Sequence, residues 1–122
     1  MKALLLSLFI LLNLSASPLS DEKKLIIVYI EMEHCGWCKK MDRETIDEPR
    51  SLAIIEKQYL LAKIKRESGD IPLFLHPKFF PTTYILSSDG SQVLDELPGY
   101  MQNGRFLEYL NDLYDVENQI GE

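Results

Sequence analysis

Polar and apolar positions change period several times along the chain, and each change marks a predicted element. Leu25-Ile26-Ile27-Val28-Tyr29-Ile30 is continuously apolar and rich in β-branched residues. Such a run suits a central strand covered on both faces. It ends at Glu31-Met32-Glu33-His34 and leads directly into Cys35. The period then becomes helical: Cys38, Met41, Asp42 and Thr45 share one face, which predicts a helix over 37–46. Pro49 opens a second helix, at a position where its missing N–H has no intrahelical partner to lose. Leu52, Ile54 and Ile55 are expected to face inward there, with the end near Lys57. Residues 59–65 read as a second strand, with Tyr59, Leu61 and Ile64 among its apolar positions. Ser68-Gly69-Asp70 marks a turn within 66–72. Residues 71–80 have no clean period and leave room for one or two helical turns before Pro81.

Residues 82–86, rich in Thr, Tyr and Ile, predict a third strand. Asp89-Gly90 favours a hairpin into a fourth strand at 92–96, which Pro98-Gly99 breaks. A last helix begins at Asn103 or Gly104, where Phe106, Leu110 and Leu113 repeat at i, i+4 and i+7. A right-handed crossover makes the first two strands parallel, and the hairpin makes the last two antiparallel. The expected fold class is α/β: a small, central four-stranded mixed sheet with helices on both faces.

The segment before the first strand follows another pattern. Lys2 is followed by a nearly unbroken apolar run over 3–14 and by the small residues Ser15-Ala16-Ser17. That is the layout of a secretory signal peptide over 1–17. The run is shorter than the roughly 20 residues that a membrane span needs, although an uncleaved N-terminal anchor is the alternative. No cysteine lies near the cleavage region, which argues against a lipoprotein. The expected organisation is a signal peptide at 1–17, a lead-in at 18–24, a folded domain at 25–116 and a polar, fraying tail at 117–122.

Composition narrows the function classes. The 122 residues amount to one domain. The formal charge is -6, and without the leader it becomes -7, with 12 Lys+Arg against 19 Asp+Glu. An acidic surface argues against nucleic acid or anionic membrane as the main partner. The only two cysteines, Cys35 and Cys38, stand three apart. A bridge closing so short a loop constrains the unfolded chain weakly, so the pair points to chemistry more than to stapling. Thiol–disulfide exchange needs an attacking thiolate and a nearby second thiol that releases the mixed disulfide. A Cys-x-x-Cys at a helix start supplies both, because the helix N-terminus favours the thiolate. Cys35 is then expected to be the exposed, attacking sulfur and Cys38 the shielded, resolving one.

Cys35-Gly36-Trp37-Cys38-Lys39-Lys40-Met41, placed after the 25–30 strand, resembles the active site of the thioredoxin superfamily. Phe80-Pro81-Thr82-Thr83-Tyr84-Ile85-Leu86 is similar to the cis-proline and following strand of that family. Asp89-Gly90, Gly99-Tyr100 and the apolar last helix continue the likeness over roughly 25–114. The resemblance implies a thioredoxin-like fold and a thiol–disulfide oxidoreductase that needs no cofactor beyond the Cys35–Cys38 disulfide. It implies a cis Pro81 packed against Cys35, and Phe80, Pro81 and Thr82 as the substrate-binding stretch, with the Phe80 backbone pairing to an extended substrate.

The departures are specific. Thioredoxin itself has Trp before the first cysteine and Gly-Pro between the two; this chain has His34, and then Gly36 and Trp37. The buried Asp that thioredoxin carries in the strand is replaced by Tyr29. Glu31, on the same strand face, and Asp42, one helical turn after Cys38, are candidates to accept the Cys38 proton. Plain solvated surface acids are the bland alternative. His34 is a candidate to stabilise the Cys35 thiolate in a pH-sensitive way, and Trp37 to offer an apolar platform to a partner. Lys39 and Lys40 read as a solvated helix face.

Oxidases of the family tend to carry His between the cysteines, and isomerases generally add a dimerisation domain. A monomeric reductase of protein disulfides, exported to the bacterial periplasm and recharged by a membrane electron donor, is the expectation. A disulfide isomerase or oxidase of the same fold, or a non-catalytic thioredoxin-fold binding module, is the alternative. A zinc site from Cys35, Cys38, His34 and His76 is disfavoured because His34 adjoins Cys35. Covalent haem attachment is excluded because residue 39 is Lys, not His.

Overall fold

The computed structural model describes residues 23–120. The leader at 1–17 and most of the lead-in therefore lie outside the described residues. Strand β1 (Leu25–Glu31) is followed by helix α1 (Gly36–Met41), which continues as a π-helical turn, Asp42–Ile46. Helix α2 (Pro49–Gln58) leads into β2 (Tyr59–Lys65), and a 3-10 turn, Arg66–Ser68, follows. After an irregular stretch come β3 (Thr82–Leu86), β4 (Val93–Pro98) and helix α3 (Asn103–Ile120). The sheet order is β2-β1-β3-β4. β1 and β2 run parallel, and β3 is antiparallel to both β1 and β4.

β1 is central, and its β-branched side chains serve two cores. Leu25, Ile27 and Tyr29 join Ile85, Met41 and Ile46, Ile55 of α2, and Phe106 and Leu110 of α3. Val28 and Ile30 point the other way and pack with Tyr84, Leu86 and Leu75. All three helices therefore cover one face of the sheet. The second face carries the irregular 69–80 segment instead of a helix, which corrects the expectation of helices on both faces. Pro72, Pro77 and Pro81 explain it: each removes a backbone donor, and each disfavours helix in the residue before it. Leu75 is the single fully buried anchor of that segment, while Leu73 is 93% exposed.

Two helix details depart from the sequence pattern. In α2, Ser51 is buried and Ile54 is exposed. The reason is the cap: Glu48 accepts from the Arg50 and Ser51 N–H groups and from the Ser51 hydroxyl, and this turns the Ser51–Ile55 face inward. In α3, the helix continues through 117–120, where a fraying polar tail is expected. The Asn118 side chain donates to the Tyr114 carbonyl at 2.9 Å, and Tyr114 is itself core. Residues 121–122 lie outside the described residues.

Candidate active site

β1 ends at Glu31, and the chain must turn sharply to begin α1. His34 makes that turn with φ 56°, a left-handed conformation that non-glycine residues adopt at a cost. The Glu33 N–H donates to Glu67 of the 3-10 turn at 2.7 Å, which ties the turn to the far end of β2. The strain at His34 gives a direct expectation. His34→Gly should raise the stability of the oxidised protein by about 0.5–1 kcal/mol, the left-handed cost less the extra chain entropy of glycine. Urea unfolding measures it, and a lower midpoint for the variant contradicts it.

Cys35 caps α1: its Sγ accepts from the Cys38 N–H at 3.1 Å. The two cysteines are joined as a disulfide, with Cα atoms 5.2 Å apart. Cys35 is 6% and Cys38 2% exposed. Cys35 is thus not the exposed sulfur expected from the sequence, because the Phe80-Pro81 turn lies across it. The Phe80–Pro81 peptide bond is cis, and the Phe80 carbonyl oxygen is 3.6 Å from Cys35 Sγ. Thr82 is buried, and its hydroxyl donates to the Phe79 carbonyl at 2.6 Å, which braces the turn. The Gly99 N–H, at φ 84°, donates to the Pro81 carbonyl at 2.7 Å and locks the β4–α3 connection onto the same turn. The turns preceding β3 and following β4, and the start of α1, are therefore held together at one end of the sheet.

On one side of the disulfide a cavity of about 610 Å³ is lined by Trp37, Phe79, Phe80, Pro98, Gly99 and Tyr100. Trp37 is 60% and Phe79 63% exposed, so much aromatic surface faces solvent there. The Trp37 and Tyr100 rings pack at 5.5 Å between centroids. The Tyr100 hydroxyl donates to Glu44 at 2.8 Å. Lys40 Nζ stands 5.5 Å from the Trp37 centroid and 5.0 Å from that of Tyr100. Lys40 is therefore more than a solvated helix face.

On the other side a cavity of about 350 Å³ brings Cys38 together with Glu31, Asp42, His34, Lys39 and Lys65. Glu31 is 8% exposed. Glu31 Oε2 and Asp42 Oδ1 are buried without a hydrogen-bond partner when both carboxyls are taken as ionised. A proton on Glu31, whose side chain hydrogen-bonds Asp42, relieves that burial. Burial, and then the neighbouring Asp42, push the Glu31 carboxyl up to about 7. Lys63, on β2, bonds the Asp47 carboxylate at 2.9 Å and lies 3.9 Å from Asp42. Burial opposes its charge, but Asp47 and Asp42 outweigh that and hold the ammonium above its usual range. Tyr29 is fully buried, its ionisation pushed up first by burial and then by Asp42. Its hydroxyl donates to the Cys38 carbonyl at 3.3 Å, so at the place of the missing Asp it braces α1 rather than titrating.

The structure thus gathers His34, Cys35, Trp37, Cys38, Glu31, Asp42, Phe80, Pro81 and Thr82 around one disulfide. Gly36 stands in open space beside it, with nothing near a Cβ there. Phe79, Tyr100, Lys40 and Lys63 were not singled out by the sequence as parts of the site. His76 is exposed, and among the described residues no group of His, Cys, Asp or Glu side chains converges to hold a metal.

A mixed sheet with a disulfide capping a helix, opposite a cis-proline turn, defines a thioredoxin-fold thiol–disulfide oxidoreductase. The thioredoxin-like domain family matches residues 15–114, and the chain belongs to it. Solved structures agree on the fold. A thioredoxin from Thermus thermophilus superposes with a TM-score of 0.65 at 21% identity, covering 81% of this chain and 80% of that one. A thioredoxin-fold protein from Helicobacter pylori gives 0.69 at 16%, with 83% and 75% covered. The C-terminal domain of Neisseria meningitidis DsbD, in its oxidised form, gives 0.54 at 18%, with 82% and 92% covered. No curated protein sequence matches the chain significantly.

Proposed function

We propose that the protein is an exported reductase of protein disulfides, working as a monomer in the bacterial periplasm. Cys35 attacks the substrate disulfide and forms a mixed disulfide as one substrate thiolate leaves. Cys38 gives its proton to the ionised Glu31 carboxylate beside Asp42 and attacks Cys35 Sγ. The second substrate thiolate leaves, and the two substrate thiolates take up protons from solvent. The net result is two electrons passed to the substrate and the Cys35–Cys38 disulfide closed. A membrane electron donor then reopens it.

The observation that carries the reading is the disulfide held at a helix start, with the Phe80 carbonyl 3.6 Å from Cys35 Sγ and an apolar cavity alongside. A substrate strand laid along Phe80 brings its sulfur to Cys35. No His stands between the cysteines, which argues against an oxidase, and the leader-like 1–17 segment supports export. Insulin reduction is the first test: turnover with wild type and none with Cys35→Ser is expected. Turnover independent of Cys35 defeats the reading. A reduction potential near −120 mV, that of a strong oxidant, defeats the reductase direction.

A further inference from the structure

The aromatic cavity beside Cys35 has a charge pattern that an indifferent apolar surface lacks. Its helix-side wall is the Trp37–Tyr100 pair, and Tyr100 is fixed by its hydrogen bond to Glu44. Lys40 sits over both rings, so a cation marks that wall. Among the described residues the Lys40 ammonium makes no ion pair, whereas Lys63 and Arg66 are each beside a carboxylate. Phe79 and Phe80 complete the aromatic lining. The same wall carries Glu44, bonded by Tyr100 and 3.9 Å from Arg43, and Lys40 is the cation that stands against the two rings at the groove. Gly99 is among the lining residues, and nothing lies close to where a Cβ would stand there.

We propose that this groove selects, among disulfide-bearing proteins, extended segments with an aromatic residue next to the reacting cysteine and a carboxylate beyond it. The selection rests on the oxidoreductase reading and names its substrate class. The substrate ring enters the 610 Å³ cavity and meets Trp37, Tyr100 and Phe79 edge or face on. The carboxylate pairs with Lys40, while a cationic segment meets like charge there. Lys40 and Tyr100 are then specificity residues, distinct from the cysteines that do the chemistry.

The chemical step is the same for every peptide. The reduced protein's Cys35 thiolate attacks a symmetrical peptide disulfide and one peptide thiolate leaves. Cys38 displaces the second peptide, the protein is oxidised, and the two thiol protons pass through solvent to the two peptide thiolates. Flanking charges shift the peptide thiol pKa and so its intrinsic rate, but that bias is the same for every protein, so a change in a rate ratio between wild type and a groove variant reports on the groove.

The test uses the reduced full chain and homodimeric disulfide peptides carrying Trp or Ala before the cysteine and Glu, Gln or Lys after it. Single-turnover rates are followed at low ionic strength. Trp should exceed Ala by about tenfold, the scale of one aromatic contact, and Glu should exceed Lys by about fivefold, the scale of a partly exposed charge pair. Lys40→Met should collapse the Glu/Lys ratio towards one and keep the Trp/Ala ratio. Phe79→Ser should lower the Trp/Ala ratio. Both readouts are ratios within one protein, so a general loss of folded protein cancels. Equal rates for all peptides, or a Glu/Lys ratio unchanged in Lys40→Met, overturn the proposal. Hydroxyethyl disulfide, too small to use the groove, separates the two levels. Its Cys35-dependent reduction alongside flat peptide rates removes the groove selection alone, and its failure to react removes the oxidoreductase reading and the selection with it.

Discussion

Cys38→Ser should stop turnover while leaving attack intact, and the protein should accumulate as a covalent adduct with its substrate. Cys35 caps α1 and lies beside the Phe80 carbonyl, where a bound strand delivers its sulfur. Cys38 lies one turn into α1, where its N–H donates to Cys35 Sγ, and it is Cys35, not Cys38, that faces the Phe80 carbonyl. With serine at 38 the mixed disulfide forms but has no internal thiol to release it. Intramolecular partners act at effective molarities of about 10⁵ M or more. Free thiols at millimolar concentration are a poor replacement, and steady-state insulin reduction should fall by at least about 10³-fold. Mass spectrometry under non-reducing conditions should find protein plus substrate, released by dithiothreitol. Cys35→Ser should give neither adduct nor turnover. An adduct on Cys38 in that variant, or near-normal turnover with Cys38→Ser, reverses the assignment of the two sulfurs.

The parts of this architecture set by local pattern could be read from the chain. β2 and β3 fall at 59–65 and 82–86 as their composition and flanking turn residues require. The Cys-x-x-Cys and Phe80-Pro81 were legible because each is a short motif whose chemistry depends on adjacent residues. What depends on distant contacts was not. The π turn at Asp42–Ile46 is closed by an Asp47 N–H to Asp42 carbonyl bond of 2.7 Å and braced by the Thr45 hydroxyl on the Met101 carbonyl at 3.4 Å. Nothing in Arg43-Glu44-Thr45 announces it. Tyr100 enters the groove only because the Gly99 N–H bonds the Pro81 carbonyl across the sheet. Lys63 reaches the acids because β1–β2 register sets it opposite Tyr29. The missing second-face helix was not legible: 71–80 has no clean period and left room for one or two helical turns, and only the structure shows how Pro72, Pro77 and Pro81 keep it irregular.

The Glu31–Asp42 pair makes a prediction about pH that separates it from surface acids. Glu31 in the unfolded chain titrates near 4.5, and burial with Asp42 as neighbour raises it to about 7 in the folded protein. Between those values the folded state holds a proton that the unfolded state has released. Stability therefore falls as pH rises from about 4.5 to about 7, and the loss is complete above 7. A rise from 4.5 to about 7 corresponds to about 3 kcal/mol, and because the cavity beside Glu31 admits solvent the penalty should be nearer about 2 kcal/mol. Glu31→Gln keeps the shape and removes the titration. It should match wild type near pH 4, gain about 2 kcal/mol relative to it by pH 8, and leave a flat difference beyond. Taking the difference between the two proteins cancels the carboxylates held below their usual range, Glu48 and Asp89, which act at lower pH. The same substitution leaves Cys38 with one carboxyl in place of two. Release of a preformed mixed disulfide should slow by about 10-fold or more at pH 7, as for loss of a positioned base, while its formation at Cys35 is spared. A wild-type stability that stays level from pH 5 to 8, with release unchanged in Glu31→Gln, means that Glu31 is an ordinary surface acid and that Cys38 loses its proton directly to water.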